Sequence, residues 1–280
     1  MKKIIKHFTA IFIIIIVFII LYILATDDRL KIRTYTEKTS KITENVRLLL
    51  ITDLHSTQYG ENQYDIISAI DGIKPDILFF GGDIYDDVRD NENSRILIKD
   101  MVNKYPCYYV SGNHEYWSYK ISEFKEEIQS LGVTVLEGEG ENITLNNQSI
   151  LLCGVDDPDC GRAEYGEERD WYKELYSCNN MVNENQYSIL LSHRPERADD
   201  YKNTSFDLVL SGHSHGGQFR IPFVLNGLYA PHQGFFPEYA GGEYDLGENK
   251  LIVSRGLMIT NIPRIFNPPE LVVVNIEGIS

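Results

Sequence analysis

From Val46 onward the chain alternates short apolar runs with stretches whose apolar residues recur every three to four positions. Arg47–Ile51, Ile77–Phe80, Cys107–Val110, Ile150–Val155, Ile189–Leu191 and Leu208–Leu210 are runs bounded by Gly, Asp, Ser or His. Their near-continuous apolar character predicts strands buried on both faces. Glu61–Ile73 carries Ile66, Ile67, Ile70 and Ile73 at helical spacing, and Gly72 falls near its end. Tyr119–Leu131 carries Ile121, Phe124, Ile128 and Leu131, with Gly132 placed as a C-terminal cap. Lys250–Ser254 and Leu271–Ile276 add two strands without a helix between them. Strands alternating with helices predict an α/β domain.

The first part of the chain has a different pattern. Phe8–Ala25 is an 18-residue stretch without a charge, close to the ~20 residues that a helix needs to cross a bilayer. Lys2, Lys3 and Lys6 precede it, and it lacks the small-residue ending of a cleaved signal peptide, so the expectation is an uncleaved transmembrane helix. Arg29, Lys31, Arg33 and Lys38 come just after the stretch, which leaves the positive-inside count near balance. A short tail before a large domain predicts a single-pass anchor with the domain outside the cytoplasm. Residues 26–45 are polar without clear periodicity and read as a linker. The expected organisation is therefore tail and anchor 1–25, linker 26–45, and one domain 46–280.

Composition narrows the function. The chain has 280 residues, 43% of them hydrophobic, enough for a sizeable core. A net charge of -15 repels nucleic-acid backbone, so no nucleic-acid partner is expected. The four cysteines contain no CxxC pair and predict no cysteine zinc site. Cys107 and Cys153 sit in apolar runs. Cys160 and Cys178 lie in more polar surroundings, where either a disulfide or two free thiols is open.

The informative residues are the polar ones at the strand ends. Asp53 and His55 come directly after the first strand, Asp83 and Asp86 after the second, Asn113, His114 and Glu115 after the third, His193 after the fifth, and His213 and His215 after the sixth. In α/β sheets, ligands bind beyond the carboxyl ends of strands, so all five clusters are expected on one edge of the sheet. Asp53 and His55 are two apart, as are His213 and His215. In extended segments each pair would point the same way. A single histidine after a strand is usually a surface or core residue, and a single Asp a turn or cap. Five such coincidences point instead to a centre for divalent cations, with imidazole and carboxylate donors mixed. There is no G-x-S-x-G nucleophile and no P-loop.

D-x-H, G-D-x-x-D, G-N-H-E, a lone His and G-H-x-H together resemble the calcineurin-like metallophosphoesterase superfamily, from about Val46 to the C-terminus. The resemblance implies a four-layer α/β/β/α sandwich with two central mixed sheets. It also implies two divalent cations (Mn, Zn or Fe): Asp53, His55, Asp83 and His215 on one, and Asp83 as a bridge with Asn113, His193 and His213 on the other. It implies hydrolysis of a phosphoester or pyrophosphate bond by a hydroxide shared between the two cations. His114 is assigned to leaving-group protonation or transition-state charge stabilisation. The segments His215–Pro222, Ser254–Leu257 and Asn267–Glu270 look like the membrane-associated bacterial branch. That narrower likeness implies phosphodiester, lipid-linked or sugar-nucleotide-linked substrates.

Further residues carry weaker readings. Asp86 is expected to orient a histidine ligand. Arg255 and Arg264 are candidates for substrate phosphate. Glu115 reads as structural, His232 as a loop residue, and Asp156 and Asp157 as turn residues. The alternative function is a non-catalytic metal-bound binding module of an envelope complex. A module of that kind has no need of a complete set of seven ligands.

Overall fold

The computed structural model describes residues 2–162 and 169–279, with the side chains of residues 2–5 and Phe8 outside the description. The chain begins with helix α1 (Lys2–Ala25) and strand β1 (Lys31–Thr39). It continues through β2 (Val46–Ile51), α2 (Tyr64–Ile73), β3 (Ile77–Gly81), α3 (Glu92–Met101), β4 (Cys107–Val110), α4 (Asn113–Trp117), α5 (Ile121–Ser130) and β5 (Thr134–Val135). The second half runs β6 (Glu139–Leu145), β7 (Gln148–Gly154), α6 (Trp171–Asn179), β8 (Tyr187–Leu191), α7 (Ala198–Tyr201) and β9 (Leu208–Ser211). A small hairpin, β10 (Tyr229–Ala230) and β11 (Gly234–Phe235), precedes β12 (Gly242–Asp245), β13 (Lys250–Val253) and β14 (Glu270–Gly278).

Twelve of these strands form two six-stranded sheets, ordered β1-β14-β2-β3-β4-β5 and β12-β13-β9-β8-β7-β6. β2 to β5 are parallel in the first sheet, and β7, β8, β9 and β13 in the second. The period-2 alternation of strands sorts their side chains into three cores. Leu48, Leu50, Phe79, Ile189, Leu191 and Leu210 pack between the sheets. Leu49, Ile51, Leu78 and Phe80 turn the other way onto α2, α3 and α5, where Ile66, Ile70, Leu97 and Ile128 meet them. Leu151, Leu190 and Val209 turn outward onto Leu175 of α6 and Tyr201 of α7. The result is the expected α/β/β/α layering.

Helix boundaries obey local chemistry. Ile66, Ile70 and Ile73 of α2 share one buried face. Gly132, at φ 104°, ends the α5 region in the left-handed conformation that favours glycine.

Three expectations change. The stretch read as a linker contains β1, which pairs in parallel with β14 along its whole length. β1 is an edge strand with most side chains half-buried or exposed, so it lacks the apolar run that marked the central strands. The expected transmembrane helix is corrected as well. α1 is 24 residues long, but among the described residues no helix is long and apolar enough to cross a membrane. What α1 does show is a lack of cover: every side chain from Ile11 to Leu24 is exposed. Finally, all four cysteines are free and buried. Cys160 and Cys178 lie in the outer core with Leu151 and Leu190 rather than in polar surroundings.

Candidate metal centre

The five strand-end clusters come from two sheets, not one. β2, β3 and β4 bring Asp53, His55, Asp83 and Asn113 from the first sheet, and β8 and β9 bring His193, His213 and His215 from the second. Short hydrogen bonds stitch the two groups together. The His213 backbone N–H donates to both Asp53 carboxylate oxygens at 2.9 and 3.2 Å. The Nδ1 of His193 meets the Gly81 carbonyl at 2.8 Å, which puts a proton on Nδ1 and turns the Nε2 edge toward Asp83.

The backbone differs from the expected extended pairs. Asp53 (φ 52°), His55 (φ 45°), Asp83 (φ 53°), His213 (φ 65°) and His215 (φ 46°) all occupy the left-handed region. Such angles cost energy in a residue with a Cβ and cluster at functional sites. The side chains converge because the backbone coils at each strand end, not because a strand continues. Glycines make room for this. A Cβ on Gly112 would run into the Asp83 carboxylate, and one on Gly212 would lie 2.5 Å from Asp53 Oδ2.

The side chains form two overlapping groups. Donor atoms of Asp53, His55, Asp83 and His215 lie within 4.8 Å of one another, and so do those of Asp83, His193 and His213. Asp83 belongs to both. Its Oδ2 lies 3.1 Å from His193 Nε2 and 3.6 Å from His55 Nε2, and Asp53 Oδ1 lies 3.4 Å from His215 Nε2. Four of these atoms, namely His55 Nε2, Asp83 Oδ2, Asn113 Oδ1 and His193 Nε2, are buried without a hydrogen-bond partner. Buried polar atoms are ordinarily paired, and bare imidazole, carboxylate and amide oxygen donors suit a divalent cation. The donor set therefore fits the two cations that the sequence implies.

Opposite charges meet at the centre. Burial works against the charged form of His193, yet Asp83 and Asp53 raise its pKa to about 10. Burial would raise the Asp83 carboxyl, but His193 and His114 hold it well below the usual carboxylate range. Burial lowers both His213 and His215 well below the ordinary histidine value.

Supporting residues hold the donors in place. The Oδ2 of Asp86 lies 3.1 Å from His55 Nδ1, within reach to orient that imidazole. Asp86→Asn is expected to keep the fold and to weaken divalent-cation binding about 10–100-fold, measured by calorimetric titration of metal-stripped protein with Mn²⁺. Glu115 is fully buried. Its carboxylate accepts the N–H groups of Asp83, Ile84, Tyr85 and Gly112 at 2.8–3.0 Å, so it fixes the loop that carries Asp83. Burial, then the neighbouring Asp83, pushes its carboxyl up to about 7.

His114 lies beside the donors, with its ring 4.4 Å from that of His55 and 4.7 Å from that of Trp117. Its backbone N–H donates to Asp83 Oδ1 at 2.9 Å, and its Nδ1 meets Asp87 Oδ1 at 2.6 Å. Burial lowers the His114 pKa, but Asp83 and Asp87 together raise it. Asp87 was not singled out in the sequence, where the adjacent Asp86 drew attention through its place in G-D-x-x-D.

Arg255 and Arg264 sit elsewhere than expected. Arg255 donates to Asn226 Oδ1 at 2.6 Å and to the Gly241 carbonyl at 2.8 Å. Arg264 donates to the carbonyls of Asn267, Met258, His215 and Arg255. Both guanidinium groups are engaged by oxygens of the chain itself, the Asn226 amide oxygen and backbone carbonyls. The arginine beside the donors is Arg194, immediately after His193. It pairs bidentately with Asp157 at 2.5 and 2.8 Å, and its Nη1 lies 3.5 Å from His213 Nε2. Asp157 is thus more than a turn residue. His232 also reaches the site, its Nδ1 3.1 Å from His213 Nε2.

Two facing sheets whose loops pool aspartates, histidines and an asparagine define a two-cation centre of the phosphoesterase kind. Residues 46–217 match the calcineurin-like phosphoesterase family, and the chain belongs to that family. A metallophosphoesterase of Campylobacter jejuni is 33% identical over 241 residues, 84% of this chain and 60% of that protein. One of Aquifex aeolicus is 30% identical over 256 residues, 89% of this chain and 92% of its own. A Danio rerio protein named as a transmembrane protein with a metallophosphoesterase domain is 28% identical over 214 residues, 69% of this chain and 47% of that protein. The chain thus spans less than two thirds of the Campylobacter and zebrafish relatives.

Proposed function

We propose that the protein is a metal-dependent phosphohydrolase that cleaves phosphoester or pyrophosphate bonds in substrates presented at a membrane. The carrying observation is the set of four bare, buried donor atoms that meet between two sheets. In this reading Asp53, His55, Asp83 and His215 hold one divalent cation, and Asp83, Asn113, His193 and His213 hold a second. Two bound cations supply Lewis-acid polarisation of the phosphoryl oxygens and an acidified water. The chain's own residues do the rest. Asp83 keeps the two halves of the centre together. Asp87 holds the Nδ1 edge of His114, so the Nε2 edge is left to give a proton to the departing oxygen. A non-catalytic binding module would have no use for His114 poised in this way beside a complete donor set.

The membrane part of the proposal rests on α1. Its apolar side chains from Ile11 to Leu24 are exposed, and an apolar surface of that extent calls for cover other than water. A bilayer supplies it, and the name of the zebrafish relative agrees with that context. Lipid-linked or sugar-nucleotide-linked phosphates are then the favoured substrates. The net charge of -15 argues against nucleic acid.

The test uses the full chain in detergent, freed of metal and then given Mn²⁺. Hydrolysis of bis-p-nitrophenyl phosphate is expected only with metal present. Folded, metal-loaded protein that turns over neither this diester nor p-nitrophenyl phosphate would favour the binding-module alternative.

A further inference from the structure

A second surface of the domain stands out by its exposure. Phe223 is fully exposed, and Val224 (80%), Phe235 (70%), Phe236 (68%) and Ile262 (61%) project nearly as far. Phe223 (φ 67°) and Phe236 (φ 60°) do so from left-handed backbone, a costly conformation for a bulky side chain. The Phe235 ring lies 6.4 Å from Phe236 and 5.3 Å from Tyr229. Gln218 ties the segment to the Ile262 loop through its bond to the Ile262 carbonyl at 3.0 Å. Large apolar side chains held this far out of the fold mark an interaction site.

The end of α1 sits against the same surface. The Ala25 carbonyl accepts the Phe266 N–H at 2.6 Å. Leu24 lines a cavity of about 400 Å³ together with Phe223, Phe266, Arg33 and Arg220. Asp27 also borders the cavity, but Arg29 and Lys31 pair with it at 2.7 and 3.0 Å. Arg220 is only partly engaged: its Nη1 reaches the Phe266 carbonyl at 3.5 Å, and its Nε is buried without a partner. Arg33 lies 3.6 Å from Glu270 and is half exposed. The net charge of -15 repels anionic surfaces in general, so the two guanidinium groups beneath an aromatic rim are the local cationic spot that suits an anionic amphiphile.

We infer that this face docks on an anionic phospholipid surface, with Phe223, Phe235 and Phe236 entering the headgroup boundary and Arg33 and Arg220 receiving a lipid phosphate. The inference rests on the membrane association proposed for α1. Aromatic side chains favour the membrane–water boundary, and basic side chains favour anionic leaflets. His232, four residues before Phe236, contacts His213 of the metal centre. Docking therefore brings the centre to headgroup depth, where a lipid-linked phosphate would lie.

Spin labels on the full chain test this, because the native cysteines are buried. Labels at Phe235→Cys and Val224→Cys are compared with one at Ile16→Cys in α1. A control label at Glu184→Cys sits on an exposed turn before β8, at the opposite end of the strands. All are placed in nanodiscs containing phosphatidylglycerol, and collision with oxygen and with a water-soluble nickel chelate gives the depth. The inference expects lipid-like ratios at 235, 224 and 16 and a water-like ratio at 184. It also expects a contrast that is at least ~3-fold weaker for 235 with phosphatidylcholine alone, or with Arg220→Gln. A lipid-like α1 with water-like 235 and 224 would overturn docking and leave membrane association standing. Water-like ratios at all four sites would overturn both. Shielding of 235 that tracks protein concentration instead of lipid would assign the patch to a second copy of the chain and overturn the lipid reading.

Discussion

Asp83→Ala is expected to reduce phosphodiester hydrolysis by on the order of 10³-fold or more, the scale seen when a member of a jointly acting catalytic set is removed. Asp83 is the one donor common to both groups at the strand ends. Its Oδ2 is bare and lies within 3.6 Å of histidines from each sheet. Its loss takes a donor from both proposed cation sites at once and leaves His55 and His193 facing each other without the carboxylate. The fold should survive. The Asp83 side chain accepts one backbone hydrogen bond, from His114, and such a bond contributes about 1 kcal/mol. Far-ultraviolet circular dichroism and steady-state kinetics on the same preparation separate the two effects. A folded Asp83→Ala protein with wild-type turnover would refute the assignment.

His114→Ala is expected to behave differently. Metal binding should persist, because the imidazole faces the donors across the His55 ring and belongs to neither proposed ligand set. Turnover should fall about 10²–10⁴-fold, the usual contribution of a positioned general acid. The size of the loss should depend on the leaving group. An alkyl phosphodiester needs its departing oxygen protonated and should show the full effect, whereas a p-nitrophenyl ester needs little help and should show much less. Equal losses for both leaving groups would place His114 in charge stabilisation rather than in proton transfer.

Much of this centre was legible in the sequence for a definite reason. Buried parallel strands read as uninterrupted apolar runs, so Leu48–Ile51 and Ile77–Phe80 announce themselves, and the polar residue after each run marks the strand's carboxyl end. Other features left no such mark. β1 is an edge strand whose pairing with β14 joins residues far apart in the chain, and its mixed polarity looks like a linker. The convergence of Asp53 with His55 has a different basis from the expected extended pair: both residues take left-handed angles, which the spacing of two residues does not encode. Arg194 and Asp157 form a bidentate pair between the loops after β8 and β7, a contact that no local pattern encodes. Arg255 and Arg264 looked like phosphate binders because a guanidinium is suited to that task. The same five donors are equally suited to backbone carbonyls, and both side chains bind them here.

The most direct test of the central claim is metal stoichiometry. Full-length protein, stripped of metal and then equilibrated with Mn²⁺, is analysed by mass spectrometry of bound metal while bis-p-nitrophenyl phosphate hydrolysis is monitored in parallel. The account predicts two cations per chain, with activity rising as the second binds, and at most one in His193→Ala. Folded wild-type protein that binds no divalent cation, or that hydrolyses the diester equally well without one, would contradict it.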